Sequence, residues 1–587
     1  MATFIIQRSP LARWRSALLS VSVASTAVVL PILIGGNISG HDFRFHIQSW
    51  MDVRGQWREG IFFPRWAEWA NWGFGEPRFI FYPPLSWMIG AALGSFLPWK
   101  MAPGAFTWLV LMVAGLSMWC FAREALPAPY ANLAAVFYAA NPYHLVMVYY
   151  RSAFGELLAA ALLPLLLWAA LRVIGGEWRH VPTLAVVLAG IWLSNLPAAV
   201  IATYGLVVAI GTGSLLQRNL RPLLLALSAG LGGLALACFY VLPAAWEQSW
   251  VQIAQVVSDN LRPYQNFLFT RANDPDFRLF NGQVSRVAVG LILAAAVAAL
   301  LTWKKRAEIH QRWWILSVLG LVSTVMMLRP SLWLWRELPK LWFVQFPWRW
   351  LDVLDVAFAF LVAAVIAAFL SRMAKWVATV VVFIVIGTVG AAMLRDAPWD
   401  SGDVSDIAAS IRAGRGYEGA DEYAPVGCDR YQLPGNRDDS ERPPDVSSEP
   451  APRIAKLDAD SGDVVPAAGV GLQIQTWTST DRVFTADSQQ PVTLAPRVVN
   501  YPAWELRMNG RRGQFDLRPE TEQILVPLSS GTSRIEIWFR QTGDRTAGDV
   551  ISAVAAVVLA ALAWVFGRRR IGALERGRPR RTTSGDA

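Results

Sequence analysis

The sequence predicts a polytopic α-helical membrane protein of about twelve spans with a small extracytoplasmic β-rich domain. Three observations carry that expectation. Apolar runs near the ~20 residues a helix needs to cross a bilayer recur from Ser16 to Leu394 and return once near the C-terminus. The 587 residues are 54% hydrophobic and only 16% charged, more apolar than a soluble core requires. Between Asp396 and Val550 the long runs give way to short alternating ones.

Arg8, Arg13 and Arg15 precede the first run, 16–36, which places the N-terminus in the cytoplasm. No small-residue cleavage site follows, so the run reads as a retained first helix. The loop Asn37–Pro84 is then external. In it Phe43, Ile47, Trp50 and Trp57 recur at helical spacing with charges between them, the pattern of an amphipathic helix in the interface with Trp at headgroup depth.

The next apolar piece, Pro83–Trp99, begins Pro-Pro and is barely long enough to span. Treated as half-inserted or surface-lying, it lets the later segments alternate: 101–121, 130–149, 154–172, 182–194, 197–214, 222–242, 286–302, 312–328, 350–370, 374–394 and 549–567. The cytoplasmic loops then collect Arg123, Arg172, Arg179, Arg218, Arg221, Lys304, Lys305, Arg306, Arg312, Arg372, Lys375 and Arg568–Arg570, with both termini inside. The net charge of +10 is thereby read as orientation, and no nucleic-acid partner is expected. Cys120, Cys238 and Cys428 show no paired spacing, hence no disulfide framework and no zinc signature. Of the external loops, Arg329–Arg349 is too polar and Pro-broken to span and too aromatic for open solvent, so it reads as re-entrant or interfacial.

Three regions follow: a transmembrane domain (1–395) with its external first loop (37–84), an extracytoplasmic β-rich domain (396–548), and a last helix with a basic cytoplasmic tail (549–587). Residues 435–465, rich in Pro, Ser, Asp and Glu, read as a mobile loop. The runs LQIQTWT, VTLAPRVV, WELRM, QILVPL and SRIEIWF read as strands, and Asn509-Gly510 as a type I′ hairpin turn.

Polar groups gather on the external side. Asp42 and His46 share a helical face; Arg151 and Glu156 bracket the junction of two spans; Glu247 follows Leu242-Pro243; Gln345 and Arg349 flank Phe346-Pro347-Trp348. Each has a plain structural alternative. Asp42 suits the N-cap of a helix starting at Phe43. His46 suits a structural role, Arg151 and Glu156 a topological ion pair, and Arg349 a snorkelling position. His41, Asp42 and His46 suit metal binding by type, though three such residues in one stretch do not fix a geometry. Taken together, the same residues suit a membrane enzyme acting on a lipid-linked substrate. A surface carboxylate, Asp42, accepts a proton from an incoming hydroxyl. Cations from Arg151, Arg349 or His46 stabilise a departing phosphate.

The ordered set Gly40-His41-Asp42, Tyr82-Pro83-Pro84-Leu85, Asn141-Pro142-Tyr143-His144, Arg151-Ser152-Ala153-Phe154-Gly155-Glu156, Leu242-Pro243 and Gln345-Phe346-Pro347-Trp348-Arg349 resembles bacterial polytopic proteins described as 6-pyruvoyl-tetrahydropterin synthase-related, of the YfhO-like group. Gly416–Pro425 (GYEGADEYAP) and Tyr501-Pro502-Ala503-Trp504 resemble that group's external C-terminal module. The first helix, external acid and amphipathic helix also look like the GT-C superfamily of membrane glycosyltransferases. That resemblance implies a GT-C-like fold in a bacterial inner (cytoplasmic) membrane. It further implies inverting transfer of a sugar from a polyprenyl-phosphate donor to an extracytoplasmic acceptor beside membrane lipid. Carried over, Asp42 is the base. Beside it, Glu156 is expected to orient the acceptor or support the cations, Arg349, Arg151 and His46 to bind the donor phosphate, and His41, Tyr82, Tyr143, Gln345 and Glu247 to line the groove. Many members carry an acidic pair in this loop; here residue 40 is Gly and Phe43-Arg44 follow Asp42, so the pair is missing. No residue is assigned to metal, and Mg or Mn remains an open cofactor. The alternatives are a transporter or flippase of lipid-linked glycans and a non-catalytic scaffold. The first predicts ionisable residues in mid-membrane and repeat symmetry, neither of which is evident in the sequence.

Overall fold

The structure, a computed structural model, describes residues 10–305, 309–369, 371–400, 402–434, 450–459 and 461–576. Among them eight helices are long and apolar enough to span: Arg13–Gly35, Ala102–Ala122, Phe154–Ile174, Leu196–Gln217, Pro275–Thr302, Pro347–Ala368, Arg372–Arg395 and Gly543–Phe566. Two bent pairs, Arg221–Leu236 with Cys238–Trp250 (76°) and Gln311–Met326 with Arg329–Glu337 (87°), bring the number to ten if each is one span. The protein is thus a multi-pass membrane protein. The other two expected spans are the helices Ala128–Ala139 and Val181–Trp192. Each has 12 residues, about 18 Å of helix, too short to cross alone. Pro84–Phe96, with 13 residues, is also too short.

Local chemistry sets several of these boundaries. Ala128–Ala139 stops before Asn141-Pro142, where Asn141 is extended and its side chain accepts the His144 N–H at 2.8 Å, capping a new helix. Asn195 caps Leu196–Gln217 in the same way, accepting from Ala198 N at 3.0 Å. Asp274 caps Pro275–Thr302, which therefore begins well before the expected residue 286.

The helix Phe43–Arg58 forms where its spacing predicts, but its apolar face meets protein and not headgroups. Phe43, Ile47 and Trp50 are buried, and Trp50 stacks on Phe106 with ring centroids 5.1 Å apart. It packs on Pro84–Phe96 so closely that a Cβ at Gly90 would lie 2.0 Å from the Trp50 ring. The helical period reports an apolar stripe without naming what covers it.

Among its described residues the external domain contains ten strands in two five-stranded antiparallel sheets. Sheet one has the order β2 (Val464–Pro466), β1 (Ile454–Leu457), β5 (Val492–Pro496), β9 (Ile524–Leu528), β8 (Asp516–Leu517). Sheet two has the order β3 (Val470–Trp477), β4 (Asp481–Ser488), β10 (Gly531–Phe539), β6 (Trp504–Met508), β7 (Arg511–Arg512). The turn between β6 and β7 pairs Met508 with Arg511 and holds Asn509 and Gly510 at φ 51° and 78°, the two positive values a type I′ hairpin demands. Two expectations need correction. Within 435–465, residues 435–449 lie outside the described residues, but β1 and most of β2 occupy its end, their few apolar residues masked by the Pro/Asp-rich composition. β4, DRVFTADS, is an interior strand of its sheet, paired with β3 and β10, although its charged ends hide its alternation.

This domain shares a core with the first external loop. Trp66, Phe74 and Phe81 pack in one cluster with Tyr423, Phe484, Tyr501 and Trp504. The stretch Gly416–Pro425 docks on that loop: Tyr417 donates its hydroxyl to Asp52 Oδ2 (2.8 Å), and the Ala420 N–H donates to Glu76 Oε2 (3.0 Å). Glu76 is in turn paired with buried Arg78 at 2.6 Å.

Candidate functional site at the outer helix ends

The site is assembled from the first loop, the junction before Phe154–Ile174, and the segment leading into Pro347–Ala368. At the junction the chain forms a π-helical turn, Met147–Arg151, closed by Ser152 in the left-handed region (φ 51°). Ser152 Oγ donates to Ile38 O (2.8 Å) and accepts from Gly40 N (3.2 Å), while the Asp42 N–H donates to Arg151 O (2.8 Å). The two backbones are in contact. A Cβ at Gly40 would lie 2.6 Å from both Arg151 C and Tyr150 O, so glycine before His41-Asp42 is a requirement of packing.

Asp42 stands at the N-cap of Phe43–Arg58 but makes no side-chain capping bond. Its Oδ2 instead meets Arg151 Nη2 at 3.3 Å, and its side chain stays 40% exposed. Behind it Glu156 is buried and accepts three charge-setting bonds: Arg151 Nη1 at 2.6 Å, Arg349 Nε at 3.0 Å and the Tyr143 hydroxyl at 2.6 Å. Glu156 therefore holds the two arginines side by side. Arg349 also donates through Nη1 to Val344 O (2.8 Å) and Gln345 Oε1 (3.2 Å). Gln345, at φ 67°, is held there by its own Nε2 donating to Val256 O (2.6 Å). Strain of this kind persists where surroundings fix it. Trp348 lies under Arg151 (5.0 Å) and Phe346 under Arg349 (4.9 Å), the two rings stacked at 4.7 Å. Burial alone would lower the Arg151 guanidinium, but Glu156 and Asp42 beside it outweigh that and raise it.

Most of the expected residues converge here. Asp42, Arg151, Glu156, Arg349, Tyr143 and Gln345 form one connected network. His41 is exposed beside Asp42, its ring edge-on to Phe280 at 4.8 Å. Tyr82 is adjacent, its hydroxyl 3.4 Å from His46 Nε2 and 2.9 Å from where a Gly155 Cβ would stand. Burial, then the Asp42 charge, raises the Tyr82 phenol.

Two assignments are corrected. His46 is fully buried against Trp50, Tyr82 and Phe154, and burial lowers it to about 4, so near neutral pH it carries no positive charge for a phosphate. Glu247 lies away from the network: buried, it forms a two-pronged pair with Arg545 (2.7 and 2.8 Å) and accepts from the Tyr501 hydroxyl at 2.5 Å. It joins the bent pair, the β-rich domain and the last helix.

Sequence reasoning missed Asp352 and Asp355. Both are buried within the span Pro347–Ala368, the charges a transporter would call for. Their signal is present in LDVLDVAFAFLVAAVIAAF, where they are the only ionisable residues of the helix. Among the described residues, no group of three or more His, Cys, Asp and Glu is placed to hold a metal ion, and His41, Asp42 and His46 do not converge as ligands.

No curated protein matches the chain. A family model, described as the 6-pyruvoyl-tetrahydropterin synthase related domain, a membrane protein, matches residues 79–394, a stretch that includes Arg151, Glu156, Arg349 and both buried aspartates. With more than half of its length matched, the chain belongs to the 6-pyruvoyl-tetrahydropterin synthase related family of membrane proteins, the YfhO-like family.

Proposed function

We propose that the protein is a GT-C-type membrane glycosyltransferase of the bacterial inner membrane, its termini cytoplasmic and its site on the extracytoplasmic face. One observation carries this: a half-exposed carboxylate, Asp42, stands against a pair of buried arginines, Arg151 and Arg349, held together by Glu156. An acceptor hydroxyl gives its proton to Asp42 as its oxygen bonds to the anomeric carbon of the donor sugar. The carbon–oxygen bond to polyprenyl phosphate breaks in the same displacement, which inverts the centre. The phosphate leaves against Arg151 and Arg349, whose positions are fixed before reaction. Glu156 is a positioning residue, and His41, Tyr82 and Tyr143 flank the groove. A divalent cation, Mg or Mn, would enter with the donor phosphate.

The test is transfer of radiolabelled sugar from a panel of polyprenyl-phosphate donors to membrane acceptors, by wild type and Asp42→Asn. Transfer by wild type alone supports enzyme and base together. Equal transfer by both removes Asp42 as base, and no transfer with any donor counts against the enzyme.

A second function is favoured by one observation, the buried Asp352 and Asp355 within a span: a flippase of lipid-linked glycans. Movement of labelled polyprenyl-phosphate glycan across proteoliposomes without sugar transfer would select it.

A further inference from the structure

Asp352 and Asp355 are three residues apart on one helix and so share a face. They are 1% and 0% exposed, and among the described residues none of their four carboxyl oxygens has a hydrogen-bond partner or touches solvent. Asp352 lies within electrostatic range of Glu156 on the helix Phe154–Ile174, Arg151 of the π-turn, Tyr143 of the short helix after Asn141, and Arg349 and Asp355 of its own segment. Tyr138 of Ala128–Ala139 lies within electrostatic range of both aspartates.

The two tyrosine hydroxyls near the pair donate elsewhere. Tyr138 donates to Ala160 O at 2.6 Å and Tyr143 to Glu156 at 2.6 Å. The bonds of Arg151 go to Glu156 and Asp42, and those of Arg349 to Glu156, Val344 O and Gln345. An ionised carboxylate only accepts hydrogen bonds, so it would be buried here with nothing to accept. A protonated acid carries no charge and has an O–H of its own to donate. A metal ion would need further ligands and room, and solvent does not reach these oxygens. A proton needs neither.

Charge balance points the same way. With all carboxyls ionised, Asp42, Glu156, Asp352 and Asp355 oppose two arginines. With the inner pair protonated, Asp42 and Glu156 balance Arg151 and Arg349, and the arginines keep their field for an incoming anion.

We propose that Asp352 and Asp355 form a membrane-embedded proton-binding site, two neutral carboxylic acids that exchange protons with the outer face through Glu156. Each exchange moves one proton: Asp352 gives it to the Glu156 carboxylate, which Arg151 links to half-exposed Asp42, and regains one by the reverse path. This site does not rest on the transfer chemistry above and serves a flippase equally.

Infrared spectroscopy of the full chain in lipid nanodiscs tests it without any donor lipid. At neutral pH the wild type shows the carbonyl stretch of protonated carboxylic acid. Glu68, which burial raises to about 7, contributes to that band, so assignment rests on difference spectra. Asp352→Asn and Asp355→Asn each remove one acid's share, and the double variant removes both. In heavy water the same bands shift by deuteration, and Glu156→Gln slows that shift. Bands unchanged in both Asn variants would overturn the protonated pair, and deuteration as fast as in wild type in a Glu156→Gln protein shown by tryptophan fluorescence to be folded under the same conditions would overturn the route. A neutral, unpartnered acid also tolerates neutral replacement. Asp352→Asn or Asp352→Leu should therefore fold as wild type does, and failure of both to fold would itself overturn the proposal.

Discussion

Replacing Glu156 by Gln removes the charge that holds the site together while keeping its shape. In the wild type its Oε2 receives Arg151 Nη1 at 2.6 Å and Arg349 Nε at 3.0 Å, and all three side chains are buried. After the change Arg349 has no carboxylate partner among the described residues, and Arg151 keeps only Asp42 at 3.3 Å. Removing one partner of a buried ion pair costs about 3–5 kcal/mol, because the remaining charge is left uncompensated in a poor solvent. That is two to nearly four orders of magnitude in the folding equilibrium, at about 1.4 kcal/mol per tenfold. Reversible unfolding in mixed micelles, followed by fluorescence of the chain's 29 Trp, measures it. The double variant Glu156→Gln/Arg349→Gln should recover at least about 1 kcal/mol relative to the sum of the single changes, since coupled groups are non-additive. A Glu156→Gln protein within about 0.5 kcal/mol of wild type would refute the reasoning, because surface substitutions cost that little.

Gly40→Ala should cost about 1–3 kcal/mol as overpacking. Its Cβ meets backbone at 2.6 Å, which cannot rotate away, so Asp42 is also pushed from Arg151; unchanged thermal stability would contradict this. His46, ordinarily near 6.5, is lowered to about 4 by burial, so below pH about 6.5 the unfolded chain binds a proton that the folded one refuses. Stability then falls as pH drops from about 6.5 to 4, by about 3 kcal/mol in all. Glu68 works in the opposite sense, since burial raises it to about 7 and the folded form gains its proton first on acidification. The difference between wild type and His46→Gln across this window isolates the histidine, and an equal pH response in both would exclude it. Glu247→Gln should loosen the link between the β-rich domain and the last helix, seen as faster proteolytic release of that domain with residues 10–305 intact; unchanged cleavage would show that Arg545 and Tyr501 hold without it.

The membrane class, most spans, the β6–β7 hairpin and six members of the outer network were legible because each leaves a local mark. An apolar run, an Asn-Gly pair, or a charge beside a span can be read without knowing what it touches. What was not legible depends on partners far away in the chain. Trp50 looks the same whether it faces headgroups or Phe106. His46 looks like a cation until Phe154 and Tyr82 close over it. Glu247 follows a membrane helix as Glu156 begins one, and only the return of the chain at Arg545 separates their roles. Asp352 and Asp355 were overlooked for another reason: averaged over an apolar run, two acids hardly change its character, although singly they are its costliest residues.

The π-turn at Met147–Arg151 gives the site a sensitivity to chain length that substitution would not reveal. A π-turn accommodates one residue more than the α-helical turn it replaces. Deleting a single residue from this turn would let it close as an α-turn and rotate everything after it by about 100°. Arg151 would then face away from Glu156, and Ser152 would lose its place beneath Gly40. The surplus residue acts as a phase adjuster, setting one helix in register with a loop more than a hundred positions earlier. Insertions and deletions here should therefore be far less tolerated than changes of side chain.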